Sequence, residues 1–189
     1  MQELPLGLRR YLVLLHLLCV AVLADQLVPA LRTGMPSHIA AGTVIALVAY
    51  GALSYLAEHT TLRIKGNAWQ NLATTAHIGA LLLFAPPIPM LIALAAALLA
   101  QARKRKTPLV QRAFNVIHPA LGVGLAGLLC SIFISPTALP RIGFLAGLPG
   151  LILLIGLFYL LDVGTMLGLL ALLGNESPWK IWWQAYRHT

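Results

Sequence analysis

The chain has 189 residues, of which 59% are hydrophobic and only 10% are charged, and its formal net charge at pH 7 is +8. Soluble domains carry about a quarter charged residues, so this composition excludes an ordinary soluble domain and indicates a protein that folds in lipid. Because the basic residues are few and clustered, we interpret the positive charge as a signal of membrane topology rather than of nucleic-acid binding.

Six apolar segments follow one another along the chain, and we interpret each as a membrane-spanning helix. A helix needs about 20 apolar residues to cross the hydrocarbon layer upright, so the third and fourth segments are short. The first segment is expected to be a retained span, because it is long for a signal peptide and no small-residue cleavage site follows it. The predicted spans are 11–31, 38–57, 67–85, 88–102, 109–135 and 149–173, where Pro149 is expected to begin the last helix.

The prolines of the segment Pro86–Pro89 either kink one long helix or turn the chain back between two helices. Proline lacks the amide donor and disfavours helix at the preceding residue, which suits a turn. Lys and Arg concentrate on the cytoplasmic side of a membrane. Six spans with a cytoplasmic N-terminus place eleven basic residues inside, including Arg103–Lys106, and only Arg32 and Arg141 outside. We therefore predict a turn, six spans and two cytoplasmic termini.

A short tail is predicted to follow the single transmembrane domain. The pair Gly174-Asn175 is typical of a helix C-terminus, so the domain is assigned to residues 1–174 and the cytoplasmic tail to residues 175–189. Ser177 suits a helix N-cap and Pro178 the first helical position. Four aromatic residues follow at helical spacing, on one face: Trp179, Trp182, Trp183 and Tyr186. This pattern predicts an amphipathic helix that lies in the headgroup layer.

Ionisable residues inside the predicted spans are the first candidates for a functional site, because they are costly to place in a membrane. Asp162 lies near the middle of the last span and His77 near the middle of the third, so a contact between them is geometrically possible, and our hypothesis places His77 or Thr165 within reach of Asp162. In the alternative, Asp162 is a neutral residue that only forms hydrogen bonds, with Thr165, Tyr159 or a neighbouring helix.

Histidines offer a second kind of site. His16 on the first span and His118 on the fifth lie at similar depth on helices of the same direction, so they are candidates to face each other. Such a pair would ligate haem or a chlorophyll-type pigment, with His77 as a further ligand. In the alternative, each histidine is a hydrogen-bonded core residue. Asn115 shares a helix face with His118, which favours a polar contact between these two residues. No cofactor is favoured, and no metal site or catalytic motif is recognised.

The stretch from Gly79 to Leu129 reads GALLLFAPPIPMLIALAAALLAQARKRKTPLVQRAFNVIHPALGVGLAGLL. It contains, in this order, a proline turn, a basic loop, a helix that opens with Phe114-Asn115, and a run of small residues. Together with SPWKIW after the last span, this stretch resembles the multi-pass N-terminal membrane domain of bacterial signalling proteins that carry HD-GYP, GGDEF or related output domains. The resemblance implies a sensor or input module, here without the output domain. In architecture alone, the chain is also similar to the vitamin-binding membrane subunits of energy-coupling-factor transporters.

The predicted protein is thus an all-α, polytopic helical bundle of about six transmembrane helices with a C-terminal interfacial helix. We expect a non-enzymatic membrane module of the sensor or input type, which binds a small ligand or a partner membrane protein. The first alternative is a haem- or chlorophyll-binding or accessory subunit of an electron-transfer or photosynthetic complex, and the second is a substrate-binding transporter subunit. Expected partners are the lipid bilayer and other membrane subunits or a second copy, and the expected location is the bacterial cytoplasmic membrane.

Overall fold

The structure, a computed structural model of the protein, describes residues 5–32, 41–59, 61–65, 68–71, 73–104 and 106–186. Helices account for most of the described chain. They are α1 (Leu6–Arg32), α2 (Ala41–His59), α3 (Ala73–Leu83), α4 (Ile88–Arg103), α5 (Leu109–Ser131), α6 (Phe144–Gly174) and α7 (Pro178–Tyr186), with a 3-10 helix at Pro136–Arg141 before α6. Two short strands, β1 (Thr61–Lys65) and β2 (Ala68–Asn71), pair as an antiparallel hairpin between α2 and α3.

Within the described residues, three helices are long and apolar enough to cross a membrane, namely α1, α5 and α6. Their 27, 23 and 31 residues correspond to about 40, 35 and 46 Å at about 1.5 Å per residue. Each therefore exceeds the hydrocarbon layer, which is about 30 Å thick. Large apolar side chains such as Val20, Ile45 and Leu160 are exposed on the outside of the bundle. This surface is compatible with a membrane protein, because water disfavours wide apolar patches.

The predicted turn at the prolines is present. The third and fourth helices are separate, since α3 ends at Leu83 and α4 begins at Ile88. Pro87 is the N-cap of α4, and Pro89 lies in its first turn, where the missing amide is not needed for a helical hydrogen bond. The chain therefore reverses between two helices instead of continuing as one kinked helix.

Some helix boundaries differ from the predicted ones. The third predicted span, 67–85, is shorter because residues 68–71 pair with β1, and α3 begins only at Ala73. The expectation that Pro149 begins the last helix is wrong, because α6 already begins at Phe144 and contains Pro149. A proline this close to the helix start removes one backbone hydrogen bond, which the surrounding turns tolerate.

Helix α5 lies at the centre of the bundle and packs against α1, α4 and α6. Close packing depends on Gly124, where an added Cβ would lie 2.7 Å from Met90 Sδ and 2.8 Å from Val22 Cγ1. Small residues let helix backbones approach in this way. Gln26, near the end of α1, donates a hydrogen bond from Nε2 to the carbonyl oxygen of Gly124 at 3.0 Å. The contact joins the later part of α1 to the later part of α5.

The bundle has two chemically different ends. The Tyr11 hydroxyl of α1 donates to the carbonyl oxygen of Thr165 in α6 at 2.6 Å, and the earlier Gly7 lies beside the later Leu172, so these two helices are antiparallel. We call one end the basic end, because it holds the start of α1, the ends of α2, α4 and α6, the start of α5, and the residues Arg9, Arg10, Arg103, Lys104, Lys106, Arg112 and Lys180. The opposite turn end holds residues 84–87, the 3-10 helix, Arg32 and Arg141.

Candidate functional site

A histidine and an aspartate meet between α5 and α6, near the middle of α6. His118 Nε2 lies 3.2 Å from Asp162 Oδ1 and 2.9 Å from the backbone carbonyl oxygen of the same residue. A carbonyl oxygen can only accept, so Nε2 carries the hydrogen and donates it. The histidine side chain is 11% exposed and that of the aspartate 31%. The imidazole is thus largely covered by protein, whereas the Asp162 side chain is partly exposed.

An aromatic ring positions the imidazole. Phe114 precedes His118 by one turn of α5, and their rings stack with centroids 5.1 Å apart and planes 22° apart. Phe114 is itself buried, so it cannot turn away without opening the core. The stack fixes the plane of the His118 ring and directs Nε2 toward α6.

A second histidine lies behind the pair. His77 of α3 is only 1% exposed, its ring centroid is 6.4 Å from that of Phe158, and Phe158 precedes Asp162 by about one turn of α6. His77 Nε2 is buried and has no hydrogen-bond partner in the structure. His118 lies within electrostatic range of His77. Three ionisable groups, from α3, α5 and α6, therefore share one region of the bundle, which we call the polar centre: His77, His118 and Asp162.

The expected contact between Asp162 and His77 is not the one observed, because Asp162 pairs with His118 instead. The reason is packing, since α6 lies along α5 over most of its length and meets α3 only briefly. The Thr165 hydroxyl donates to carbonyl oxygens of its own helix, those of Leu161 at 2.8 Å and Asp162 at 3.1 Å. Asn115 is half-buried on α5, and among the described residues no hydrogen bond joins it to His118.

The proposed pairing of His16 with His118 also takes a different form. His16 Nδ1 lies 2.6 Å from the carbonyl oxygen of Leu12, one turn earlier in its own helix. His118 is engaged with Asp162 on α6. The structure thus gives each histidine a partner of its own and does not join the two. In the part of the chain that the structure describes, no group of three or more His, Cys, Asp or Glu residues is placed to hold a metal ion.

The tail begins as the sequence predicts. Asn175 has a left-handed backbone with φ of 49° and ends α6, where its amide donates to the Ala171 carbonyl. Ser177 Oγ accepts a hydrogen bond from the Lys180 amide at 3.2 Å and so caps α7. Trp179 stacks on Trp182, with ring centroids 4.9 Å apart, and on Trp183 at 6.3 Å. Trp179 and Trp183 are largely exposed, whereas the side chain of Tyr186 lies outside the described part of the structure.

Two polar residues that bridge helices were missed by the sequence reasoning. Gln26 reaches the Gly124 carbonyl from α1, and Tyr11 reaches the Thr165 carbonyl from the same helix. Both residues interrupt an otherwise apolar segment and fall on the same side of the helix as buried Leu15 and Val22. A search for polar residues on the buried stripe of each helix would have found Gln26.

These features define a helical protein compatible with insertion in a membrane, in which an ionisable pair joins two of the three membrane-length helices. Comparison of the chain with protein-family models, with curated proteins and with solved structures gave no match.

Proposed function

We propose that the protein is a non-enzymatic integral membrane module of the sensor or input type, embedded in a bacterial cytoplasmic membrane by six helical segments. The distribution of charge supports the orientation. Seven basic residues lie at the basic end of the bundle, with Arg63 and Lys65 in the adjoining β1, against Arg32 and Arg141 at the turn end. Because basic residues favour the cytoplasm, the basic end faces inward and the turn end outward.

The helices fall into two length classes, and both are consistent with this proposed arrangement in the membrane. Besides the three membrane-length helices, α2, α3 and α4 contain 19, 11 and 16 residues, or about 28, 16 and 24 Å at about 1.5 Å per residue. In this proposal α2 crosses almost upright, while α3 and α4 form a short pair that reaches the outer side at the proline turn. The stacked, exposed tryptophans of α7 then lie in the inner headgroup layer.

The observation that carries the functional proposal is the contact of His118 with Asp162. A charged side chain at the centre of a bilayer costs about 2.5–3.5 kcal/mol on insertion scales, and packing of apolar helices does not require one. A pair that bridges two long helices has two arrangements, closed and open, and a ligand or partner can favour either one. Such an element is what a sensor module needs.

Helix α6 connects this pair to the cytoplasmic side. From Asp162 it continues for 12 residues to Gly174 and then leads through the Asn175 cap directly into α7. These 12 residues form a rigid rod of about 18 Å at about 1.5 Å per residue. A change in the contact between α5 and α6 therefore moves α7 and the basic end, where an output domain or partner would read it.

The test is the distance between α5 and α6 at the basic end. Nitroxide labels at the exposed positions Gln111 and Leu173 would be compared by pulsed electron resonance in lipid nanodiscs. Asp162→Leu is expected to widen or shift the distance distribution, and Asp162→Asn to change it less because the amide oxygen still accepts from His118. Thr165→Val is the matched control, since its hydroxyl bonds only within α6.

Two results would contradict the proposal. If Asp162→Leu leaves the distance distribution unchanged, the contact between His118 and Asp162 does not set the arrangement of α5 and α6. If the purified protein converts a substrate in a reaction that depends on Asp162, the module is an enzyme. Co-purification of the chain with a pair of ATPase subunits would instead establish the transporter alternative.

A further inference from the structure

Helix α1 carries two stripes of side chains with the same spacing. The residues that face the bundle recur every three or four positions, and they are Leu8, Leu12, Leu15, Cys19, Val22 and Gln26. A second set recurs in the same way on the outside of α1, and all its members are exposed. We call it the outer stripe, and it consists of Leu14, Leu18, Ala21, Asp25, Val28 and Arg32. Spacing of this kind is the pattern by which one helix packs along another.

Asp25 distinguishes the outer stripe from an ordinary lipid-facing surface. Its side chain is exposed, and among the described residues it forms no hydrogen bond or ion pair. In the proposed orientation, Arg10 marks the inner boundary of the membrane and Arg32 the outer one. Asp25 then lies about 22 Å above Arg10 and about 10 Å below Arg32, at about 1.5 Å per residue. A carboxylate at this depth is disfavoured against hydrocarbon, and acidic residues in membrane helices usually pair with another group.

The charge and depth of Asp25 determine which partner suits the outer stripe. A second copy packed in parallel would place two copies of Asp25 side by side, because parallel helices related by a twofold axis meet at equal depth. Like charges repel there. The ammonium group of a phospholipid lies in the headgroup layer, about 10 Å above the carboxylate at about 1.5 Å of helix rise per residue. A different helix that carries a basic side chain at the matching depth brings the opposite charge into contact.

We propose that the outer stripe docks a transmembrane helix of another protein, in which an arginine or lysine in the outer third of the membrane pairs with Asp25. Ala21 precedes Asp25 by about one turn on the stripe, and its small side chain lets a second helix backbone approach closely. Away from water, the pair forms a charge-assisted hydrogen bond. The inference rests on the proposed function in one respect, since it requires α1 to cross the membrane.

Docking can be measured with the full chain in phosphatidylcholine vesicles. The probe is a synthetic membrane-spanning peptide of leucine and alanine, with one arginine a third of the way from one end and an acceptor fluorophore. A donor is attached at Leu6→Cys, an exposed position, in a background without Cys19 and Cys130. Energy transfer should reach half its maximum at about a tenth of the concentration that a peptide with leucine in place of arginine needs, because that peptide lacks the charge-assisted hydrogen bond.

Two kinds of variant test the stripe itself. Asp25→Leu is expected to remove the preference for the arginine peptide, and Asp25→Asn to keep only part of it, because an amide oxygen accepts a hydrogen bond but carries no charge. Ala21→Phe should weaken docking of the arginine peptide by filling the place of the second backbone. Val20→Phe makes the same change at the neighbouring residue, which is exposed but lies outside the stripe, and should dock the peptide normally.

The proposal is overturned if the two peptides dock equally well to the wild type, if Asp25→Leu keeps the preference for arginine, or if Val20→Phe and Ala21→Phe have the same effect. It is also overturned if copies of the chain associate with one another without peptide and Asp25→Leu prevents this, because the stripe then joins two copies. None of these results involves the distance between α5 and α6, so the sensor role is tested separately.

Discussion

Gln26 of α1 donates a hydrogen bond to the carbonyl oxygen of Gly124 in α5, and Val22 of the same helix packs against that glycine. The approach exists because Gly124 has no side chain to separate Val22 of α1 from Met90 of α4. A buried amide and a glycine thus hold three helices together. The stability of the bundle should therefore depend on this position.

We expect Gly124→Ala to lower the free energy of unfolding by about 1–3 kcal/mol, the range found for overpacked cores. The added methyl group would lie under 3 Å from Met90 Sδ and Val22 Cγ1. The measurement is denaturant unfolding in mixed micelles. Gly156→Ala is the control, because nothing lies within 4 Å of its Cβ position. Equal stability of the two variants would show that α5 has room for a side chain at position 124.

Tyr11 and Gly168 should not contribute independently to stability. A Cβ at Gly168 would lie 2.7 Å from the Tyr11 hydroxyl oxygen, so Gly168→Ala displaces this hydroxyl from the Thr165 carbonyl. Tyr11→Phe loses the same hydrogen bond, which in membrane proteins contributes about 0.6 kcal/mol on average. We expect the double variant to be no less stable than Gly168→Ala alone. Additive losses in a double-mutant cycle would mean that the two residues are not coupled.

The proposed topology predicts opposite accessibility at the two ends of α4. In a background without the buried Cys19 and Cys130, Ala85→Cys at the proline turn should react with an impermeant thiol reagent added to intact cells. Ala102→Cys at the basic end should react only after the membrane is permeabilised. Both alanines are exposed in the structure. Equal labelling in intact cells would be incompatible with six spans and an inward basic end.

Helix α7 should lie in the headgroup layer, because Ser177 caps the helix, its tryptophans are stacked, and Trp179 and Trp183 are exposed. Tryptophan fluorescence is then expected to be quenched by a lipid that carries its quencher near the headgroup, and only weakly by aqueous iodide. Trp69 of β2 adds to the signal, so the comparison is made in a Trp69→Phe variant. Strong quenching by iodide would show that α7 is dissolved in water.

Local chemistry accounts for the features that the sequence predicted correctly. The turn at Pro86–Pro89, the cap at Asn175 and the cap at Ser177 each depend on a few neighbouring residues. The β-hairpin was missed, although Leu62 and Ile64 alternate with Arg63 and Lys65 in the pattern of a strand. The sequence prediction instead assigned the residues from position 67 onward to the third span, 67–85.

The partners in the polar centre were not predictable in the same way. The position of each residue along its predicted span placed Asp162 and His77 at a similar depth in the membrane and so suggested them as a pair. Depth alone does not reveal which helices are neighbours. The central position of α5, set by Gly124 and its contacts with α1 and α4, brings His118 and not His77 to α6. The residues of the site were therefore identified from the free-energy cost of placing ionisable groups in lipid. Which of them contact each other depends on how the helices pack.

The lengths of the helices have a consequence for the surrounding lipid. The long helices α1 and α6 and the short helices α3 and α4 all contact α5, so helices of very different length surround one central helix. At about 1.5 Å per residue, the long helices measure about 40–46 Å and the short ones about 16–24 Å. In the proposed membrane, a hydrocarbon layer of about 30 Å would thicken, or the helices tilt, beside the long helices, and the layer would thin beside the short ones. A change in bilayer thickness would then act unequally on α6 and on the proline turn.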